Sequence, residues 1–230
     1  MEFNRRGQNF KYLICDVDGV IFDTMPLYLE AFVKVMLPLG ISKSDAISSC
    51  LASLGTPVEL QARNLLAKFG KKISEADFQK IIADFWKACA GKPIKIFPGV
   101  KKTLDDLKLQ GISLLASSGS KTEELARSFE KFQLSFDFFL GSDKVPKGDK
   151  HVDKFADHFS SPKADFCRRA AFVGDGTTDM EIAVRNAIFG VGITNSLPAA
   201  RLKEAGAKSV ISKFNDLTSF FNCKNSTSID

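Results

Sequence analysis

The feature that most constrains this chain is a series of short apolar runs separated by amphipathic stretches. The runs YLIC (Tyr12–Cys15), ISLLA (Ile112–Ala116), FDFFL (Phe136–Leu140), AAFV (Ala170–Val173), IFGV (Ile188–Val191) and SVI (Ser209–Ile211) have the length and composition of strands. Helical periodicity lies between most of them, at Val100–Leu109, Lys121–Phe132, Lys150–Phe159, Thr178–Asn186 and Pro198–Ala205. Strand and helix in alternation predict an α/β fold, a parallel sheet covered by helices on both faces.

Residues 25–92 break the pattern: helical periodicity occurs four times there, with no convincing strand. The third stretch reads as a helix with a capping box from Thr56 to Glu59 and Pro57 at its first position. Its apolar side is Leu60, Leu65, Leu66 and Phe69, and it ends at Gly70. The fourth carries Phe78, Ile81, Ile82, Phe85 and Cys89. Helices this short need partners, so the segment should form a small bundle with its own core, joined through Asp23–Pro26 and residues 91–99 as a two-strand hinge. The expected division is 1–24 and 93–230 for the α/β unit and 25–92 for the insert. The tail NCKNSTSID is expected to fray.

At 230 residues and 44% hydrophobic content, the chain can bury a sizeable core. No apolar stretch approaches membrane-spanning length, and the amino terminus lacks the apolar segment of a secretory signal, so a cytoplasmic protein with no membrane partner is expected. The five cysteines are scattered without CxxC spacing, which argues against a disulfide framework or a zinc site. A net charge of +5 without a basic block gives no indication of nucleic-acid binding. A monomer or weak homodimer is expected.

In an open α/β sheet, ligands bind beyond the carboxyl ends of the strands. Residues found there are Asp16 and Asp18 after the first run, Ser117 and Ser118 after the second, and Asp175 and Asp179 after the fourth. Four carboxylates in one cleft require a cation or a lysine, and Lys144, Lys147 and Lys150 follow the third run. A calcium loop does not fit Asp16 and Asp18, because the glycine comes early and Val20, Ile21 and Phe22 follow. Ser120 with Glu123 reads as a capping box for the next helix, leaving Ser117 free. Asp179 also suits a helix start. His151 and His158 are expected on a helix surface, and Trp86 in a core.

DVDGV, Ser117, Lys147 or Lys150, and GDGTTD resemble, in order, the motifs of the haloacid dehalogenase superfamily of aspartyl-nucleophile phosphohydrolases. The resemblance implies a Rossmann-like core with an α-helical cap, and a Mg²⁺-dependent phosphatase of a small phosphorylated metabolite. It implies Asp16 as nucleophile and Asp18 as acid and base, with Gly19 allowing the sharp turn beside the phosphate. The metal would be held by Asp16, the Asp18 carbonyl and Asp175, supported by Asp179, and the phosphate by Ser117, Ser118 and a lysine. Lys147 matches better than Lys150, standing before Gly148 with a helix directly after it. Alternatives are a mutase of the beta-phosphoglucomutase type, a phosphonatase using a cap lysine such as Lys34 or Lys43, and a phospho-aspartate signalling or binding module without turnover. The mutases carry a histidine at the position of Tyr28 and an acidic residue at that of Gly174.

Overall fold

The computed structural model describes residues 9–90 and 92–221, which places the NCKNSTSID tail, Cys223 and Gly91 outside the described residues. Six parallel strands form one sheet: β1 (Tyr12–Cys15), β2 (Ser113–Ser117), β3 (Phe138–Leu140), β4 (Ala170–Gly174), β5 (Phe189–Ile193) and β6 (Ser209–Ile211). Their order is β3-β2-β1-β4-β5-β6, with every neighbouring pair parallel. The chain steps outward from β1 to β3, then returns to β4 on the other side of β1. That reversal opens a crevice at the carboxyl ends of β1 and β4.

Side chains alternate across the sheet because successive residues of a strand point to opposite faces. Leu13, Cys15, Leu114, Ala116, Ala171 and Val173 face one core. Helices α5 (Val100–Leu109) and α6 (Thr122–Lys131) cover it with Leu104, Leu107, Leu125 and Phe129. Ile14, Leu115, Ala170 and Phe172 face the other, beneath α7 (Asp149–His158), α8 (Lys163–Arg168) and α9 (Thr177–Arg185). The chain closes with α10 (Ala199–Glu204) and α11 (Thr218–Phe221). Helix α8 has no counterpart in the periodicity reading, being too short to show a period.

The insert forms α1 (Met25–Met36), α2 (Lys43–Ala52), α3 (Val58–Lys68) and α4 (Glu75–Cys89) around a core that includes Phe32, Met36, Leu65, Phe78 and Phe85. Its two connections run side by side. The Asp23 N–H donates to the Lys95 carbonyl at 2.8 Å and the Phe97 N–H to the Ile21 carbonyl at 3.0 Å, and Phe22 and Ile96 form an antiparallel bridge. Helix α3 starts later than its capping signature suggests: Pro57 is the N-cap, and no side chain caps the helix. Leu60 and Phe69 are exposed, so the buried face is Gln61, Ala62, Leu65 and Leu66. Among the described residues no helix is long and apolar enough to cross a membrane.

Candidate active site

The sheet register gathers the acids. Cys15 pairs with Ala116 on one side and Val173 on the other, so Asp16, Ser117 and Gly174 leave the sheet at one level and Asp175 follows. The Asp16 N–H donates to the Val173 carbonyl at 2.9 Å, extending the ladder by one residue. Asp16 is buried, and its Oδ1 accepts from the Val17 N–H at 2.7 Å and from Lys147 Nζ at 2.8 Å. Lys147 also pairs with Asp179 Oδ1 at 2.8 Å, while Asp179 Oδ2 accepts from the Gly176 N–H at 3.3 Å. One side chain therefore opens α9 and grips the lysine. Lys150 and Lys144 are exposed, leaving Lys147 as the lysine of the crevice.

Asp16, Asp175 and Asp179 bring carboxylate oxygens within 4.8 Å of one another. Burial, then the charge of Asp179, pushes Asp16 well above the usual carboxylate range and Asp175 up to about 7. Burial opposes the Lys147 ammonium, but Asp16 and Asp179 outweigh it and raise Lys147 above the ordinary lysine range. Three buried carboxylates thus share one buried cation. A divalent ion fits this surplus of negative oxygen donors. Gly19 is required beside it, since a Cβ there would lie 2.0 Å from Asp175 Oδ2. Two further residues brace the crevice from the loop after β5. Ser196 donates to Asp175 Oδ2, and Asn195 Nδ2 to the Gly19 carbonyl at 2.7 Å.

Asp18 is partly exposed and held by hydroxyls. Thr24 Oγ1 donates to its Oδ1 at 3.0 Å, and Ser118 and Ser120 donate to Oδ2 at 3.2 and 2.9 Å. The Tyr28 phenol lies beside Asp18 and Ser120; burial, then the Asp18 charge, pushes it well above the ordinary range. Ser120 therefore does not cap α6, whose N-cap is Lys121 without a side-chain bond. The Thr122 N–H at that helix start is taken by Asp143 Oδ1 at 2.8 Å.

Ser117 is not free either. Its Oγ lies 2.8 Å from His151 Nδ1, and His151 Nε2 lies 2.8 Å from the Val145 carbonyl. A carbonyl only accepts, so Nε2 carries the proton and bare Nδ1 accepts from the serine. His151 is 1% exposed on the inner face of α7, a correction to the surface position expected for it. Burial, with Lys147 adding to it, lowers the imidazole to about 4 and keeps it neutral. His158 is exposed and stacks on Phe138.

The insert roofs the acids. A cavity of about 70 Å³ is lined by Asp16, Asp18 and Asp175 below and by Tyr28, Phe32, Phe85, Trp86 and the Leu54–Val58 segment above, with Gln61 behind them. Trp86 thus borders the cavity as well as the bundle core, and Thr56 lines it instead of capping α3. Arg63 lies over the Phe78 ring and pairs with Glu75 in solvent. Lys34 and Lys43 are exposed and are not among the described residues lining the cavity. Cys50 reaches the cavity, but burial pushes its thiol up to about 12, so it is inert. Asn195, Ser196 and Gln61 escaped the sequence reading, and Ser120 entered it only as a helix cap. Asn195 and Ser196 lie in the loop after β5, beyond Thr194 and so past the position that identified the acids, and Gln61 is a polar residue on an apolar helix face.

Residues 13–193 match the family model described as haloacid dehalogenase-like hydrolase. A phosphorylated carbohydrates phosphatase of Thermotoga maritima is 30% identical over 59% of this chain and 63% of its own length. The chain thus spans under two thirds of that relative. A phosphoglycolate phosphatase of Pseudomonas fluorescens is 23% identical over 82% of this chain and 71% of its own. Among solved structures, a hydrolase from Pseudomonas syringae superposes with a TM-score of 0.76 at 19% identity, covering 91% of this chain and 96% of that one. A phosphonoacetaldehyde hydrolase-like protein from Oleispira antarctica superposes with a TM-score of 0.75 at 19% identity, covering 94% and 92%. These structures carry the fold alone; the family model, running from β1 through β5, carries the descent, and the chain belongs to the haloacid dehalogenase-like hydrolases.

Proposed function

We propose that this chain is a Mg²⁺-dependent phosphatase of a small phosphorylated metabolite, acting in the cytoplasm as a monomer or weak homodimer, with residues 25–92 as a cap over a core of 1–24 and 93–230. The observation that carries this reading is the Asp16–Lys147–Asp179 cluster at the base of a roofed cavity, with Asp18 at its mouth.

Asp16, Asp175 and the Asp18 backbone carbonyl would hold the ion, and Asp179 would support them. When bound, the cation neutralises the phosphoryl oxygens that would otherwise repel an anionic nucleophile. Asp16 Oδ1 accepts from Val17 and Lys147, which fixes the carboxylate, and the Asp16 oxygen not turned to the ion attacks phosphorus. The new O–P bond forms as the bond from phosphorus to the leaving oxygen breaks, and protonated Asp18 gives its proton to that oxygen, releasing the alcohol. Water then attacks the aspartyl-phosphate, Asp18 takes its proton, and inorganic phosphate leaves with Asp16 restored. Lys147 neutralises charge throughout. Ser117 joins the phosphate if its hydroxyl turns from His151 to a phosphoryl oxygen, and Ser118 lies against Asp18.

The test is phosphate release from p-nitrophenyl phosphate with Mg²⁺. Asp16→Asn should leave under a few per cent of wild-type turnover with an unchanged far-UV spectrum, because it deletes a charge and little volume. Substantial retained turnover would remove Asp16 from the nucleophile's role. Accumulation of glucose 6-phosphate from beta-glucose 1-phosphate and a trace of the bisphosphate, faster than phosphate release, would replace the phosphatase with a mutase.

A further inference from the structure

The roofed cavity has a chemical character more specific than its family. Its acidic floor faces a roof of aromatic and aliphatic side chains, and among the described residues lining it there is no lysine, arginine or histidine. The polar groups above the floor are few, and Gln61 differs from the rest. It is 8% exposed, and its Nε2 donates to the Thr56 carbonyl at 2.6 Å, which fixes the carboxamide. Its Oε1 is buried and has no hydrogen-bond partner among the described residues. Buried polar atoms in folded proteins are almost always paired, so an orphaned acceptor beside a cavity marks where a ligand's donor belongs.

We propose that Gln61 is a specificity-determining residue and that the cavity takes the leaving group of a monophosphate ester of a small neutral alcohol bearing a second hydroxyl, as in a polyol or a monosaccharide. This rests on the phosphatase reading above. The hydroxyl donates to Gln61 Oε1, and the C–H faces of the alcohol lie against Tyr28, Phe85 and Trp86, which pack edge to face or tilted with centroids 5.0–6.2 Å apart. A leaving group with its own carboxylate or second phosphate is disfavoured twice over. It would enter beside Asp16, Asp18 and Asp175, and no cation lines the roof to receive it. Glycolate is such a group, so a substrate like that in the name of the Pseudomonas relative does not fit this chain. The same lack of a cation disfavours the sugar bisphosphate that a mutase must hold.

Three two-carbon esters separate the contributions: 2-hydroxyethyl phosphate, ethyl phosphate and phosphoglycolate, compared by kcat/KM with Mg²⁺. The hydroxyethyl ester should exceed the ethyl ester on the order of tenfold, the share of one neutral hydrogen bond. It should exceed phosphoglycolate by more, because that cost is a buried charge without a partner. Gln61→Leu, similar in volume but lacking the acceptor, should bring the hydroxyethyl-to-ethyl ratio close to one. Phosphoglycolate as the best of the three, or a ratio in Gln61→Leu equal to the wild-type ratio, overturns the proposal. Should that variant not fold, the wild-type ranking still decides. Failure of the phosphatase reading looks different: no Asp16-dependent release from p-nitrophenyl phosphate at all.

Discussion

His151 sits behind the crevice, pinned at both ring nitrogens by Ser117 and the Val145 carbonyl, and buried on the inner face of α7. Its pKa falls from an ordinary 6.5 to about 4 in the fold. The unfolded chain therefore binds more protons than the native one between those values. Stability from this group is fully present above pH 6.5 and is lost as pH falls toward 4. His151→Asn keeps an acceptor for Ser117 and removes the titration. The difference between wild-type and variant unfolding free energies should slope between pH 6.5 and 4.5 and lie flat from pH 7 to 8. A flat difference throughout would mean that the imidazole charges freely in the native state. Asp16, Asp18, Asp175 and Lys147 announce themselves by following apolar runs or standing before a helix. The burial of His151 is legible only from its spacing to Val152, Phe155 and Ala156 on the apolar face of α7, against the surface position that its polar neighbours Lys150 and Asp153 suggest.

Between α2 and α3 the chain dips onto the crevice, and Gly55 lies beside Lys147 and Asp179. Its φ of +83° is one that a side chain strains to adopt, and a Cβ there would lie 3.3 Å from Lys147 Nζ and 3.5 Å from Asp179 Oδ1. Gly70, at the end of α3, has a φ of +62° with nothing within 4 Å of such a Cβ. The pair separates backbone strain from intrusion into the site. Gly55→Ala and Gly70→Ala should each destabilise by roughly 1–2 kcal/mol, but only Gly55→Ala should also lower kcat, by tenfold or more, since it displaces the lysine. Equal kcat in both variants would mean that the loop lifts clear during turnover. Apart from the short helices α8 and α11, the elements of the α/β unit were legible to within a residue or two, because apolar period and length decide them. Their ends near the site were not. Thr56 and Ser120 carry capping signatures, yet both face the cavity, where the Asp18 carboxylate takes the Ser120 hydroxyl and leaves α6 to start at Thr122. A local signal for a helix end lost to a longer-range polar contact that spacing alone cannot express.

On the scale of the whole molecule, the fold concentrates charge at the point where its strand order reverses, and that concentration opposes folding. Burial and Asp179 raise Asp175 to about 7, far above its unfolded value of 3.8. A group raised on folding contributes stability below its unfolded pKa and forfeits it as pH climbs through the folded one, so at pH 8 the metal-free protein carries the full cost of the ionised side chain. On the proposed function, Mg²⁺ would reverse that cost by binding the native state alone. At one hundred times its dissociation constant it should add about 2.7 kcal/mol, a rise in Tm of roughly 5–10 °C for a chain of this size. Asp175→Asn separates the two effects, because it removes both the repulsion and a metal oxygen. At pH 8 in chelator the variant should melt above wild type; in saturating Mg²⁺ wild type should overtake it, with the variant's own response largely gone. The same Mg²⁺ shift in both proteins would take Asp175 out of the metal site, and a variant that melts below wild type in chelator would mean that its hydrogen bond from Ser196 outweighs the repulsion it suffers from Asp179.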